Sequence, residues 1–111
     1  MVEKTNSLYL LALLAMSDYH LDPKETSKII KISKELGKEF YVHDAIEEIN
    51  KKFRDDFDAA CDFYMSNIDD EKIRKASIKY MHELAVADAH LDEKEVRFLE
   101  KVKAKWGKQY F

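Results

Sequence analysis

The chain has 111 residues, of which 46% are apolar and 37% charged, and its formal net charge is −3. That apolar share excludes a disordered segment, and interspersed charge of slightly acidic balance argues against a nucleic-acid binder, which shows a basic face. Two glycines and one proline are too little punctuation for a sheet protein of this length, and a lone cysteine excludes an intrachain disulfide.

Helical periodicity runs through the whole chain. Thr5, Asn6 or Ser7 can cap a first helix reaching about Asp18. Its stretch "LYLLALLAM" is apolar nearly all round, which predicts a central, buried helix. The second helix has a marked start: Asp22 as N-cap, Pro23 at the first helical position and Glu25 at the third, completing a capping box. Ile29, Ile32 and Leu36 form its inner stripe, and Gly37 stops it.

A third helix spans about Asp44 to Arg54, with Ala45, Ile46, Ile49 and Phe53 inward. A fourth spans about Asp55 to Ser66, with Phe57, Ala60, Cys61 and Tyr64 inward; a single longer helix with a break is the alternative. Cys61 reads as a core thiol. Asp69 can cap a fifth helix to about Asp88, with Ile73, Ala76, Tyr80, Leu84 and Ala85 inward. Asp92 caps a sixth, with Glu95 at its third position, Val96, Leu99, Val102 and Trp106 inward, and Gly107 at its end. The lysines at 101, 103, 105 and 108 suit the negative end of that helix.

The second half repeats the first. "SDYHLDPKE", from Ser17, returns 70 residues later as "ADAHLDEKE", from Ala87. With that constant shift Leu14 matches Leu84, Asp18 matches Asp88, His20 to Asp22 match His90 to Asp92, Glu25 matches Glu95, and Gly37 matches Gly107. The unit is a helical hairpin: apolar helix, acidic turn, capped amphipathic helix. The expected fold is therefore all-α, one domain over residues 1–111, a compact bundle of five to seven helices in which two pseudo-symmetric hairpins flank a middle pair. A pseudo-twofold axis between the hairpins would bring the acidic turns together.

Asp22, Glu25, Asp92 and Glu95 are accounted for by capping, worth about 1 kcal/mol each, although a capping carboxylate keeps a second oxygen. Asp18 and Asp88 each close an apolar helix, where the dipole disfavours an anion by roughly 0.3–1 kcal/mol. Either amides of the turn or a bound cation would offset that. Asp, His at +2, Asp at +4 and Glu at +7 offer three carboxylates and an imidazole, which fit a divalent ion. Oxygen ligands favour calcium or magnesium, and a coordinating histidine favours zinc, nickel or manganese. An EF-hand is excluded, because Glu25 as its last ligand puts Leu14 and Met16 at the first and third ligand positions and Tyr19 where glycine is required.

The two stretches, "MSDYHLDPKE" and "VADAHLDEKE", each following an apolar helix, resemble the turn carried twice by the tellurite-resistance TerB-like family. The resemblance is strongest over 8–37 and 79–107. It implies an all-helical domain, linked to metal, tellurite or general stress, whose acidic residues bind a divalent metal. Carried over by position, the ligands would be Asp18, Asp22, Glu25, Asp88, Asp92 and Glu95, beside His20 and His90.

Two functions fit these residues. One is a divalent-cation-binding module (calcium, zinc or manganese). The other is a metal-free protein-interaction module, adaptor or co-chaperone-like, using the aromatic stretches "EFYVH" (from Glu39) and "WGKQYF" (from Trp106) as contact surfaces unless these close the core. An enzyme is not expected, since no nucleophile–base motif and no phosphate-cradling glycine loop occurs. The run from Leu8 to Met16 is too short to span a bilayer, and "MVEKTNS" lacks the features of a secretory signal. The expectation is a cytoplasmic protein, a monomer or weak homodimer, with a protein partner and with neither nucleic acid nor membrane.

Overall fold

The structure is a computed structural model that describes residues 2–16, 23–54, 56–85 and 93–107, without the side chains at 2, 3, 85, 94 and 95. Among the described residues six helices occur and no strand: α1 (Val2–Ala15), α2 (Pro23–Glu35), α3 (Val42–Phe53), α4 (Phe57–Ser66), α5 (Glu71–Ala85) and α6 (Glu93–Trp106). This is the all-α bundle expected from the periodicity.

The apolar first helix dictates the arrangement. Leu8, Leu10, Leu11, Leu13 and Leu14 are all 0% exposed. They point around the full circumference of α1, so each side of it needs a cover. The helix accordingly packs against each of the other helices. Each buried leucine contributes roughly 1.5–3 kcal/mol relative to exposure.

The pairings of the remaining helices obey the repeat. α1 packs on α2 as α5 packs on α6; α2 crosses to α5 as α6 crosses to α1; and α1 packs on α5. Ser7 and Ser77, 70 residues apart and therefore equivalent, meet through their hydroxyl oxygens at 2.6 Å in the buried contact between α1 and α5. Equivalent atoms touch only where a symmetry axis passes between them, so the pseudo-twofold axis runs through this pair. Ser77 Oγ donates to the Ile73 carbonyl at 2.7 Å. Its single proton being spent there, Ser7 is the donor across the axis.

Several helix boundaries differ from those read in the sequence. α1 begins at Val2 rather than beyond Ser7. Asn6 and Ser7 are not caps but cross-links: Asn6 Nδ2 donates to the Asn67 carbonyl at the end of α4, at 3.2 Å, and Ser7 to Ser77. α3 begins at Val42, whose buried side chain extends the apolar face one turn earlier. α3 and α4 are separate helices. Arg54 takes the left-handed conformation, φ 48°, with its N–H on the Asn50 carbonyl, and Asp56 caps α4 by accepting from the Ala59 amide. Asp70, not Asp69, caps α5, its Oδ1 accepting from Lys72 N at 2.8 Å. The buried face of α5 comprises Ser77, Ile78, Met81 and Leu84, with Ile73, Ala76 and Tyr80 half-buried at its edge. The expected caps Asp22 and Asp92 lie outside the described residues.

Cys61 and Trp106 are buried as expected, and Trp106 Nε1 donates to the Met65 carbonyl at 3.3 Å, so this aromatic closes the core. In the other aromatic stretch Phe40 is half-buried against Tyr9, while Tyr41 is 64% exposed.

The serine pair gives an asymmetric prediction. Ser77→Ala strands the Ser7 hydroxyl and should cost about 1–3 kcal/mol, whereas Ser7→Ala leaves Ser77 bonded to Ile73 and should cost about 0.5–1.5 kcal/mol. In urea denaturation the double variant should cost less than the sum of the two. Arg54→Gly removes a left-handed Cβ penalty and should raise stability by about 0.5–1 kcal/mol in the same assay.

Candidate metal centre

The first acidic segment follows the apolar α1 and the second follows the amphipathic α5; each precedes an amphipathic helix. Asp18, His20, Asp22, Asp88, His90 and Asp92 lie outside the described residues, and Glu95 is described only as backbone of α6. Glu25 is the candidate whose side chain is described. It stands in the first turn of α2 and is 2% exposed. Among the described residues no group of three or more His, Cys, Asp or Glu gathers with metal-binding geometry.

The helix ends that flank the two segments do converge. Lys28 Nζ lies 3.8 Å from Glu83 Oε2, and Pro23 and Glu83 line one cleft. The start of α2 therefore sits against the last turn of α5. The pseudo-twofold axis relates this contact to that of α6 with α1. Helix N-termini favour carboxylates and helix C-termini favour cations. The buried carboxylate of Glu25 stands in the first turn of α2, where the first preference is met. Its hard oxygens suit a divalent cation of the calcium, magnesium or manganese type.

Other titratable groups lie in the core or hold helices together. Burial pushes the Cys61 thiol up to about 12, partly offset by the nearby Lys101 ammonium. Tyr9 stacks on Tyr64 at 4.8 Å and its hydroxyl donates to Glu48; burial first, and then that carboxylate, raise its pKa. Lys101 bridges from α6 to Asp58 at 3.0 Å and Asp62 at 3.8 Å on α4. Burial disfavours its charge, but the bond to Asp58 and the two carboxylates prevail and raise its pKa. Sequence inspection placed Lys101 only in a solvated C-terminal cluster. The i, i+4 spacing of Asp58 and Asp62 was the available signal for a facing cation.

The described helices thus form a bundle in which two helical hairpins are related by a pseudo-twofold axis, each with an acidic segment between its helices in the sequence. The family model "Tellurite resistance protein TerB" matches residues 4–107, and the chain belongs to that family. No curated protein and no solved structure matches it significantly. No helix among the described residues is long and apolar enough to cross a membrane.

The thiol gives a prediction. Cys61 should resist a thiol reagent at pH 8 in the native protein and react fully in denaturant. Because burial raises the folded pKa above its ordinary 9.0, folding holds the proton more tightly than the unfolded chain does. The associated stability is complete below pH 9 and is lost as pH rises toward 12. Tyr9 and Lys101 shift in the same sense. Denaturant midpoints should fall steadily above about pH 9.

Proposed function

We propose that this TerB domain is a divalent-cation-binding helical module serving a metal, tellurite or general stress response, with no catalytic step of its own. The observation that carries the proposal is the depth of Glu25, 2% exposed in the first turn of α2. Both acidic segments adjoin helix ends of this kind, and the repeated Asp–His–Asp–Glu spacing supplies oxygen and imidazole donors. Glu25 would serve twice: one oxygen supports the helix N-terminus, and the other faces the ion. Asp18 and Asp88, each following a helix C-terminus in the sequence, would supply the negative charge that calcium, zinc or manganese neutralises.

A metal-free interaction module is the second function for which an observation speaks. A groove between α2 and α5 is open and basic, and its occupant is considered below.

Cation binding should raise the melting temperature. A ligand at a hundredfold excess over its Kd adds about 2.7 kcal/mol, on the order of 10 °C for a domain of this size. Calcium, zinc and manganese are to be titrated separately by calorimetry. The shift should vanish in the double variant Asp18→Asn, Asp88→Asn and shrink in Glu25→Gln. If no divalent ion moves the melting temperature at hundreds of micromolar, or if the double variant responds like the parent, the cation proposal fails.

A further inference from the structure

The pseudo-twofold axis predicts two equivalent grooves, one between α6 and α1 and one between α2 and α5. The first is filled. Helix α4 lies along it, with Phe57 against Phe98 at 5.8 Å, Asp58 and Asp62 on Lys101, Met65 on Trp106, and Tyr64 stacked on Tyr9. The second groove contains no helix of this chain among the described residues: α4 packs on α1, and neither α3 nor α4 packs on α5. At that place lies a cleft of about 560 Å³, lined by Pro23, Lys24, Ser27, Lys28, Lys31 and Glu83.

The equivalences are residue by residue. Lys31 stands where Lys101 stands in the other repeat, and Lys28 where Phe98 stands. On α5, Lys79 replaces Tyr9 and Glu83 replaces Leu13. Leu13 is 0% exposed, while Lys79 is exposed and Glu83 half-exposed. The filled groove is apolar with one buried-edge lysine; the open one keeps that lysine and adds more. Its charges are Lys24, Lys28 and Lys31 against Glu83, with Lys79 exposed on α5.

We infer that the open groove docks an acidic helix of a partner protein, in the manner in which α4 occupies its twin. The filled groove defines the occupant. It is a helix with carboxylates at i and i+4, as Asp58 and Asp62 stand to Lys101, here facing Lys31 and Lys28. Lysines in place of Tyr9 and Phe98, Lys79 exposed and Lys28 half-buried on Glu83, make the contact polar and reversible rather than permanent. Nucleic acid and anionic membrane fit less well, because the net charge of −3 opposes them and the positive potential is confined to one narrow groove.

The test uses the intact protein, ¹⁵N-labelled, and an alanine-based helical peptide with glutamates at i, i+4 and i+7. Its glutamine counterpart is the control. Backbone shift changes should cluster at 24–31 and 79–83. They should weaken as salt rises to about 0.15 M, where the Debye length falls to ~8 Å. Lys31→Glu alone, and Lys28→Glu with Lys31→Glu, should each weaken binding, the pair by about tenfold or more. Circular dichroism checks that both variants remain helical, and Lys31→Glu leaves the Lys28–Glu83 bridge in place. The inference is overturned by an absence of shifts at low salt, by equal shifts with the glutamine peptide, by changes located elsewhere, or by undiminished binding in the folded variants. It is equally overturned if inorganic phosphate, a DNA duplex or phosphatidylserine vesicles perturb the same residues as strongly as the peptide does.

Discussion

A helix without a polar side cannot stand at a surface. That constraint on α1 organises the rest of the chain. Its five fully buried leucines face every direction, and Ala12 lets a neighbouring helix approach closely. Most helices of small proteins need a partner on one face; α1 needs partners on all. The remaining helices form the sheath it requires, and α1 touches each of them. Within that sheath the closest kinship is to α5, its own equivalent, and the two serines on the axis tie their crossing. A hydroxyl pair in an apolar crossing sets register, since sliding either helix by one residue would bury two hydroxyls against leucine.

Duplication explains both what is symmetric and what is not. The hairpin cores agree: Leu14 with Leu84, Ile32 with Val102, and the paired glycines Gly37 and Gly107, both at positive φ. The divergence lies where the middle pair of helices intrudes. A twofold arrangement offers two identical grooves, but α4 can fill only one. The repeat adjoining α4 became apolar and aromatic along the contact, with Tyr9, Leu13 and Phe98. The other became lysine-rich at the same positions. Burial against water decides such outcomes: an uncovered Leu13 at position 83 would forfeit roughly 1.5–3 kcal/mol of transfer free energy and would invite aggregation.

Much of this was legible in the sequence, because periodicity and repetition both leave marks in residue type. The apolar run announced a central helix, and the constant shift of 70 announced two equivalent hairpins. Errors arose where one residue type serves two roles. Asn6 and Ser7 look like caps, but here they bond across helix crossings, which only the tertiary structure reveals. Asp69 and Asp70 are equally good caps on paper, and the backbone turn after Ile68 chose the second. Ser77 broke the apolar stripe of α5, so the inward face appeared to run through Ile73, Ala76 and Tyr80. Its partner Ser7 sits 70 residues away, the same shift as the repeat, which was the available clue. At the candidate site the carboxylates were visible from spacing alone, but the burial of Glu25 was not, because a capping glutamate and a ligand glutamate have the same sequence signature.

The two roles differ in how burial affects them. Burying an ionised carboxylate costs several kcal/mol even after relaxation. The helix N-terminus returns about 0.3–2 kcal/mol, and each charge-assisted hydrogen bond about 1.5–3 kcal/mol. Capping therefore offsets the burial of Glu25 only when its hydrogen bonds are good, and it leaves little surplus. A capping glutamate on a solvated first turn would meet no such cost, so capping by itself gives no reason for the depth at which Glu25 lies. A cation is different in kind, because its attraction for the carboxylate grows as water is excluded. Depth penalises a cap and strengthens a metal ligand. The same reasoning extends to aspartates that follow helix C-termini in the sequence, where the dipole opposes the charge that a cation would favour. Under the proposed function, the repeated constellation of the second hairpin would offer an ion the same donors a second time.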